Sequence, residues 1–292
     1  MIRTNSAKAW FLASRPKTLS GALIPVAVAT ALSAQSDRCN WRAIVVCFVF
    51  AALMQVAANF INDLFDFLKG TDREDRLGPE RACAQGWITP RAMKVGIAVV
   101  ITLALATGCI VLLYSSMWLI AVGALCALFA FLYTTILSYS GMGDLLVLVF
   151  FGLVPCCGTY YVATGEVSPP CVLASIICGV LIDTLLIINN YRDRDTDRIT
   201  CKRTLIVIFG ERFGRNFYLS CGIVAWACCL LFPLVYKMGW GAMLTTLYLP
   251  LHYATWREMV SIRSGRALNG ILGKTSRNML LFGLLLTIGL LL

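Results

Sequence analysis

Two stretches of this sequence carry the residue types that could grip a metal-bound polyanion. The first, "NFINDLFDFLKGTDREDRLGPER" from Asn59 to Arg81, sets Asp63, Asp66, Asp72 and Asp75 among Lys69, Arg73, Arg76 and Arg81. The second, "LIINNYRDRDTDRITCKRTL" from Leu186 to Leu205, sets Asp193, Asp195 and Asp197 among Arg192, Lys202 and Arg203. Aligned on their asparagines, Asn62-Asp63-Leu64-Phe65-Asp66 matches Asn189-Asn190-Tyr191-Arg192-Asp193. Residues four apart share a helix face. Asn62 and Asp66 therefore form one stripe, extended backward by Asn59, and Asp193 and Asp197 form another.

Each stripe follows a long apolar run, where carboxylates cost about 2.5–3.5 kcal/mol apiece at a bilayer centre and repel one another when clustered. Solvated loop charge is the ordinary reading of such runs, but paired stripes at the ends of apolar segments call for a cation between them. Oxygen donors without a nearby histidine or thiolate suit Mg²⁺, which binds through a few carboxylates plus substrate phosphates. Two Mg²⁺ would balance Asp66, Asp72, Asp193 and Asp197. A diphosphate adds about three negative charges, which Lys69, Arg76, Arg81, Lys202 and Arg203 are placed to meet, guanidinium forks being matched to phosphate oxygens.

The elements that must position these residues are apolar helices. The 292-residue chain is 59% hydrophobic and 14% charged, too little polar surface for a soluble globule of that length. A spanning helix needs about 20 apolar residues, and nine candidates fall near 18–35, 43–64, 94–113, 117–137, 145–163, 171–190, 217–236, 239–255 and 278–292. The expected fold is all-α, one polytopic transmembrane domain over 1–292. Assigning each of the 25 basic residues to a connection puts 22 on the side of the amino terminus and leaves Arg38, Arg42 and Lys237 on the other. By the positive-inside rule the amino terminus and both charged stretches face the cytoplasm, in a cytoplasmic-type inner membrane. The net charge of +10 is then topological; anionic headgroups are its company, and neither nucleic acid nor an obligatory protein partner is called for. Arg3, Lys8, Arg15 and Lys17 interrupt the first twenty residues, which do not read as a removable signal peptide. The 13 cysteines form no CxxC pair and lie mostly inside spans, as small packing residues.

Several residues stand apart from the two stripes. Asp183 is an acid inside a span, which is by default a functional hypothesis. His252 is the sole histidine and has no evident nucleophile beside it, so covalent catalysis is not expected. Phe60, Phe65, Tyr191 and Tyr133 could face a cation through their ring quadrupoles, although packing is the ordinary role of the first three.

Both motifs resemble the aspartate-rich signatures of the UbiA superfamily of intramembrane aromatic prenyltransferases, in the branch that acts on 1,4-dihydroxy-2-naphthoate. "RPKTLSGALIPV" from Arg15, "GMGDLLVLVFFGLVPCCGTYY" from Gly141 and "LNGILGKTSRNMLLFGLLLTIGLLL" from Leu268 extend the resemblance along nearly the whole chain. It implies nine transmembrane helices around a cavity open to the cytoplasmic side and the lipid. Carried onto matching positions, it implies that Asn62, Asp66, Asp193 and Asp197 hold Mg²⁺ bridged to the diphosphate of a polyprenyl donor. Asp72 has the extended spacing of this branch, Gly70 standing where other branches place an aspartate. Asp63, Asn59, Asn189 and Asn190 would support the site. Tyr133 opens "YTTILSYSGMGD", the segment that in the family lies by the aromatic acceptor; Ser138 stands where other branches carry a basic residue. The implied reaction ionises the allylic C–O bond, and the ring carbon bearing the carboxylate attacks, with loss of CO₂. Other acceptors, such as 4-hydroxybenzoate, are an alternative. A lipid-phosphate transferase of the CDP-alcohol type lacks its contiguous motif here, and a cation or solute transporter would place its polar residues at the bilayer midplane.

Overall fold

A computed structural model describes residues 2–68, 70, 77–126 and 141–292. Lys69, Asp72, Arg73, Arg76, Tyr133 and Ser138 of the expected site lie outside the described residues. Those described form helices and turns, with no strand among them. α1 (Ala7–Ala13), α2 (Pro16–Ser33), α3 (Trp41–Leu68) and α4 (Pro90–Leu112) make the first half. After them come α5 (Gly143–Thr164), α6 (Pro169–Ile199), α7 (Leu205–Phe209) and α8 (Glu211–Leu234), then α9 (Tyr248–Ile262) and α10 (Leu268–Leu291).

Starts are written locally. Thr89 and Ser168 cap α4 and α6 through their side-chain oxygens, each followed by a proline at the first helical position, where a missing N–H costs nothing. Six described helices, α3, α4, α5, α6, α8 and α10, are long and apolar enough to cross a membrane. They account for the expected spans at 43–64, 94–113, 145–163, 171–190, 217–236 and 278–292. The 18–35 segment is the shorter α2, interrupted by Pro25. The 239–255 segment differs from expectation: it begins as a 3₁₀ stretch, Trp240–Leu247, before α9. Gly241 there lies backbone to backbone against Gly289, with no room for a Cβ on either. Only the beginning of the 117–137 segment is described, as helix over 119–126.

α6 is the axis of the bundle: its membrane window is 72% buried, against 11% for α4. Val95, Val99, Leu103 and Leu105 of α4 face outward, as lipid contact requires. Against α6, α5 crosses at Gly152 and Gly179; a Cβ on Gly152 would overlap the Ser175 carbonyl oxygen. Within α5 a π-helical turn, Leu148–Leu153, covers this close approach.

α3 and α6 have 28 and 31 residues, or about 42 and 46 Å at 1.5 Å per residue, against a hydrocarbon core of about 30 Å. Both overshoot, and the overshoot carries the two motifs. Each motif rests on its own apolar cluster: Ala9, Ala13, Phe60, Leu64, Ile88 and Met93 under the first, and Ile187, Ile188, Tyr191, Ile206 and Tyr218 under the second.

Candidate functional site

At the end of α3, successive polar residues face different partners. Asn59 is buried and donates from Nδ2 to the Ser14 carbonyl at 2.8 Å and to Thr18 Oγ1 at 3.0 Å, tying α3 to the α1–α2 junction. Asp63 is 1% exposed. Its Oδ2 accepts the Ala82 N–H at 2.8 Å and its Oδ1 the Cys83 N–H at 2.9 Å, with Arg15 Nη2 4.0 Å away. Asp63 thus fixes the backbone that follows Arg81. Asn62 and Asp66 are half-buried, and Asp66 pairs with the Arg81 guanidinium. The Asp63 anchor is what holds Arg81 there, because Arg81 immediately precedes the two clamped N–H groups.

On α6, Asn189 turns back to the Leu185 carbonyl on its own helix, 2.9 Å away. Asn190 is buried and lines a small cavity with Gly143, Asp144, Leu186, Lys202 and Thr204. Asp193 is gripped by the neighbouring Arg192, Nε to Oδ1 at 2.8 Å and Nη2 to Oδ2 at 2.6 Å. The turn after α6 passes through Cys201 at φ 58° and returns Lys202, whose N–H donates to the Asp197 carbonyl at 2.9 Å and whose Nζ lies 3.6 Å from Asp197 Oδ1. The other oxygen, Asp197 Oδ2, is buried without a hydrogen-bond partner among the described residues. Arg203 is exposed.

Three carboxylates thus face three cations: Asp66 and Arg81, Asp193 and Arg192, Asp197 and Lys202. A further residue joins the two ends. Arg192 Nη1 donates to Asn269 Oδ1 at 2.9 Å, and Asn269 Nδ2 donates to the Leu77 carbonyl at 2.7 Å, so the second residue of α10 bridges α6 to the loop leading to Arg81. Sequence spacing did not single out Asn269; its only signal was its place in "LNGILGKTSRN".

Among the described residues no three acidic, histidine or cysteine side chains converge on one point, each candidate carboxylate being turned to a cation. The donor set nonetheless fits Mg²⁺ in kind: hard oxygens, one of them a buried carboxylate oxygen, Asp197 Oδ2, without a hydrogen-bond partner among the described residues. The arrangement can carry a polyanion, because every acid comes with a base able to turn to phosphate.

Of the aromatic candidates on the described chain, Phe60 and Tyr191 are packing residues. Tyr191 is fully buried, with its hydroxyl on Glu211 at 3.0 Å and Arg194 4.6 Å above its ring. Phe60 packs on Trp10 and Phe65 points outward. His252 is stacked between Tyr218 and Tyr248 in the core, accepting or donating at Tyr248 Oη 2.9 Å away. Asp183 is 5% exposed and its Oδ1 has no hydrogen-bond partner among the described residues.

Comparison with known proteins gives concordant results. The description "UbiA prenyltransferase family" matches residues 22–269. A 1,4-dihydroxy-2-naphthoate octaprenyltransferase of Haemophilus influenzae is 32% identical over 295 residues, covering 97% of this chain and 96% of its own. The protein of the same name from Mycobacterium tuberculosis is 33% identical over 278 residues, covering 94% of each. Among solved structures, a UbiA homolog from Archaeoglobus fulgidus bound to GPP and Mg²⁺ superposes with a TM-score of 0.63 at 15% identity, covering 95% of this chain and 99% of its own. At that identity the likeness is one of fold.

Proposed function

Because the chain belongs to the UbiA prenyltransferase family, we propose that it transfers a polyprenyl group from an allylic diphosphate to 1,4-dihydroxy-2-naphthoate, releasing diphosphate and CO₂ in a step of menaquinone biosynthesis. The observation that carries this reading is the near full-length identity to relatives bearing that activity in their names. The acid–base pairs at the ends of α3 and α6 supply the chemistry.

Asn62, Asp66, Asp193 and Asp197, with Asp72 outside the described residues, would hold Mg²⁺, two ions matching the four carboxylates in charge. Bound there, Mg²⁺ supplies electrostatic stabilisation to the departing diphosphate. This chain's own cations share that work. Arg81, Arg192 and Lys202 lie beside the carboxylates, and positive charge placed where negative charge develops lowers the barrier. Asp63 keeps Arg81 in position through the Ala82 and Cys83 amides. No covalent enzyme intermediate is needed, and the one histidine is committed to the core. The prenyl tail stays in lipid while its diphosphate reaches the polar end of the bundle, and apolar walls keep water from the allylic cation.

The finer picture is nine spans with the amino terminus and both motifs cytoplasmic, supported by the 22-to-3 division of basic residues. The test is incubation of the purified protein with Mg²⁺, octaprenyl diphosphate and 1,4-dihydroxy-2-naphthoate, read by mass spectrometry. The expected product is the prenylated naphthalenediol, lacking CO₂ and absent with chelator. Folded protein that instead prenylates 4-hydroxybenzoate would overturn the acceptor; folded protein that consumes no diphosphate with either would overturn the reaction.

A further inference from the structure

Arg192 is a buried cation, and among the described residues each of its three guanidinium nitrogens has a partner. It is 4% exposed; Nε and Nη2 grip both oxygens of Asp193, and Nη1 holds Asn269. Residues one apart on a helix do not ordinarily face each other, so this fork is an arrangement of the site and not of helix periodicity. It also leaves Asp193 with both oxygens engaged, although the proposed reaction needs that carboxylate for metal. One ligand group cannot serve both at full strength: a bidentate guanidinium and a divalent ion compete for the same lone pairs.

Resting on the prenyltransferase reading above, we propose that Arg192 is an exchanging residue, holding Asp193 in the metal-free site and passing to the diphosphate when the metal takes that carboxylate. Asn269 is its positioning residue. Because Asn269 holds Nη1 with one end and the Leu77 carbonyl with the other, the guanidinium stays tethered when it leaves Asp193, and stays near the loop that carries Arg81. Asp66 with Arg81 and Asp197 with Lys202 repeat the pairing, so metal and diphosphate enter together: each makes room for the other. The exchange also keeps Asp66, Asp193 and Asp197 each compensated by a cation before substrate arrives.

Exchange at Arg192 separates two affinities that a plain diphosphate ligand would not. Full-length protein in detergent is titrated with Mn²⁺ alone, free Mn²⁺ being followed by electron paramagnetic resonance. It is then titrated with geranylgeranyl thiodiphosphate at saturating Mn²⁺ by calorimetry. Removing a competing charge-assisted fork in Arg192→Gln should tighten Mn²⁺ binding about tenfold and weaken thiodiphosphate binding about tenfold, a charge-assisted contact being worth 1.5–3 kcal/mol. Arg192→Lys, which keeps the charge and loses the fork, should show the same opposed shifts at smaller size and stands in if the glutamine variant does not fold. Asn269→Ala should weaken thiodiphosphate binding alone. Mn²⁺ affinity that falls or stays level in both Arg192 variants, with wild-type protein binding Mn²⁺ and thiodiphosphate normally, would overturn the exchange. Wild-type protein that binds neither would instead overturn the prenyltransferase reading on which it rests.

Discussion

Cys83 donates its backbone N–H to Oδ1 of Asp63 at 2.9 Å, across 20 residues of chain, and Ala82 does the same to Oδ2. A carboxylate at the end of a membrane helix is here the anchor of the following loop. Asp63→Ala would leave two buried amides unpaired, at about 1–3 kcal/mol each. The expected result is a lower thermal midpoint and a fall in turnover together, because Arg81 loses its footing. Unchanged thermal unfolding would refute the anchor.

Asp66 and Asp193 differ from Asp63 in being partly open, with side chains 36% and 32% exposed. Each pairs with a buried guanidinium, of Arg81 or Arg192, so removing the carboxylate takes a partner from a desolvated charge and costs about 1–3 kcal/mol. Asp66→Ala and Asp193→Asn should therefore fold with a lowered thermal midpoint while turnover drops by at least about a hundredfold, the scale for losing a group that stabilises transition-state charge. Near-normal turnover in both variants would overturn their role as metal ligands.

Metal should be required for reaction and not for folding, since the apolar clusters of α2, α6 and the two motif ends are built from hydrophobic residues and include none of the candidate metal ligands. Chelator is expected to abolish turnover and leave the thermal midpoint in place. Adding Mg²⁺ with an unreactive thiodiphosphate at 100 times its Kd should stabilise by about 2.7 kcal/mol through linkage. A midpoint that collapses on chelation would mean the metal is structural.

The crossing of α5 and α6 offers a test far from the charges. Gly152 has no space for a methyl group, with Ser175 O and the Gly179 backbone against it. Backbone cannot yield as a side-chain tip does, so Gly152→Ala should cost at least about 1–3 kcal/mol, the range for overpacking. Folded yield and thermal midpoint should fall; the KM of the protein that does fold should be unchanged. A wild-type midpoint would show that the helices separate at no cost.

These contacts also explain what could and could not be read from sequence. The two motif helices were legible because hydrophobicity ends abruptly at Asn59 and again at Asn189, and overshoot follows from length alone. Asp63 was not legible as an anchor, because its partners are backbone amides 19 and 20 residues away and backbone donors leave no mark on composition. Arg192 gripping Asp193 runs against the spacing logic that found the stripes, which pairs residues three and four apart. Helix was expected throughout 239–255 because Trp240–Leu247 is apolar, whereas its 3₁₀ winding accompanies a backbone contact with Gly289, 48 positions away in chain and invisible to any local window.

Asp183 lies on the face of α6 that also carries Leu186 and Asn190, three and seven residues on, the two α6 residues that line the small cavity. Its Oδ1 finds no hydrogen-bond partner among the described residues, at 5% exposure. An unsatisfied buried polar atom costs about 1–3 kcal/mol, whereas an apolar group of similar shape in its place costs nothing of the kind. Asp183→Leu should accordingly raise the thermal midpoint by the equivalent of about 1 kcal/mol or more, after the small strain of replacing two carboxyl oxygens by two bulkier methyl groups. Turnover decides why the acid is kept: natural sequences tolerate such destabilising groups where they serve a reaction. A stabler variant with reduced turnover assigns Asp183 to catalysis or substrate binding, and a stabler variant with wild-type turnover removes it from both. A lower midpoint would contradict the premise, because it would mean the carboxyl is satisfied in the folded protein.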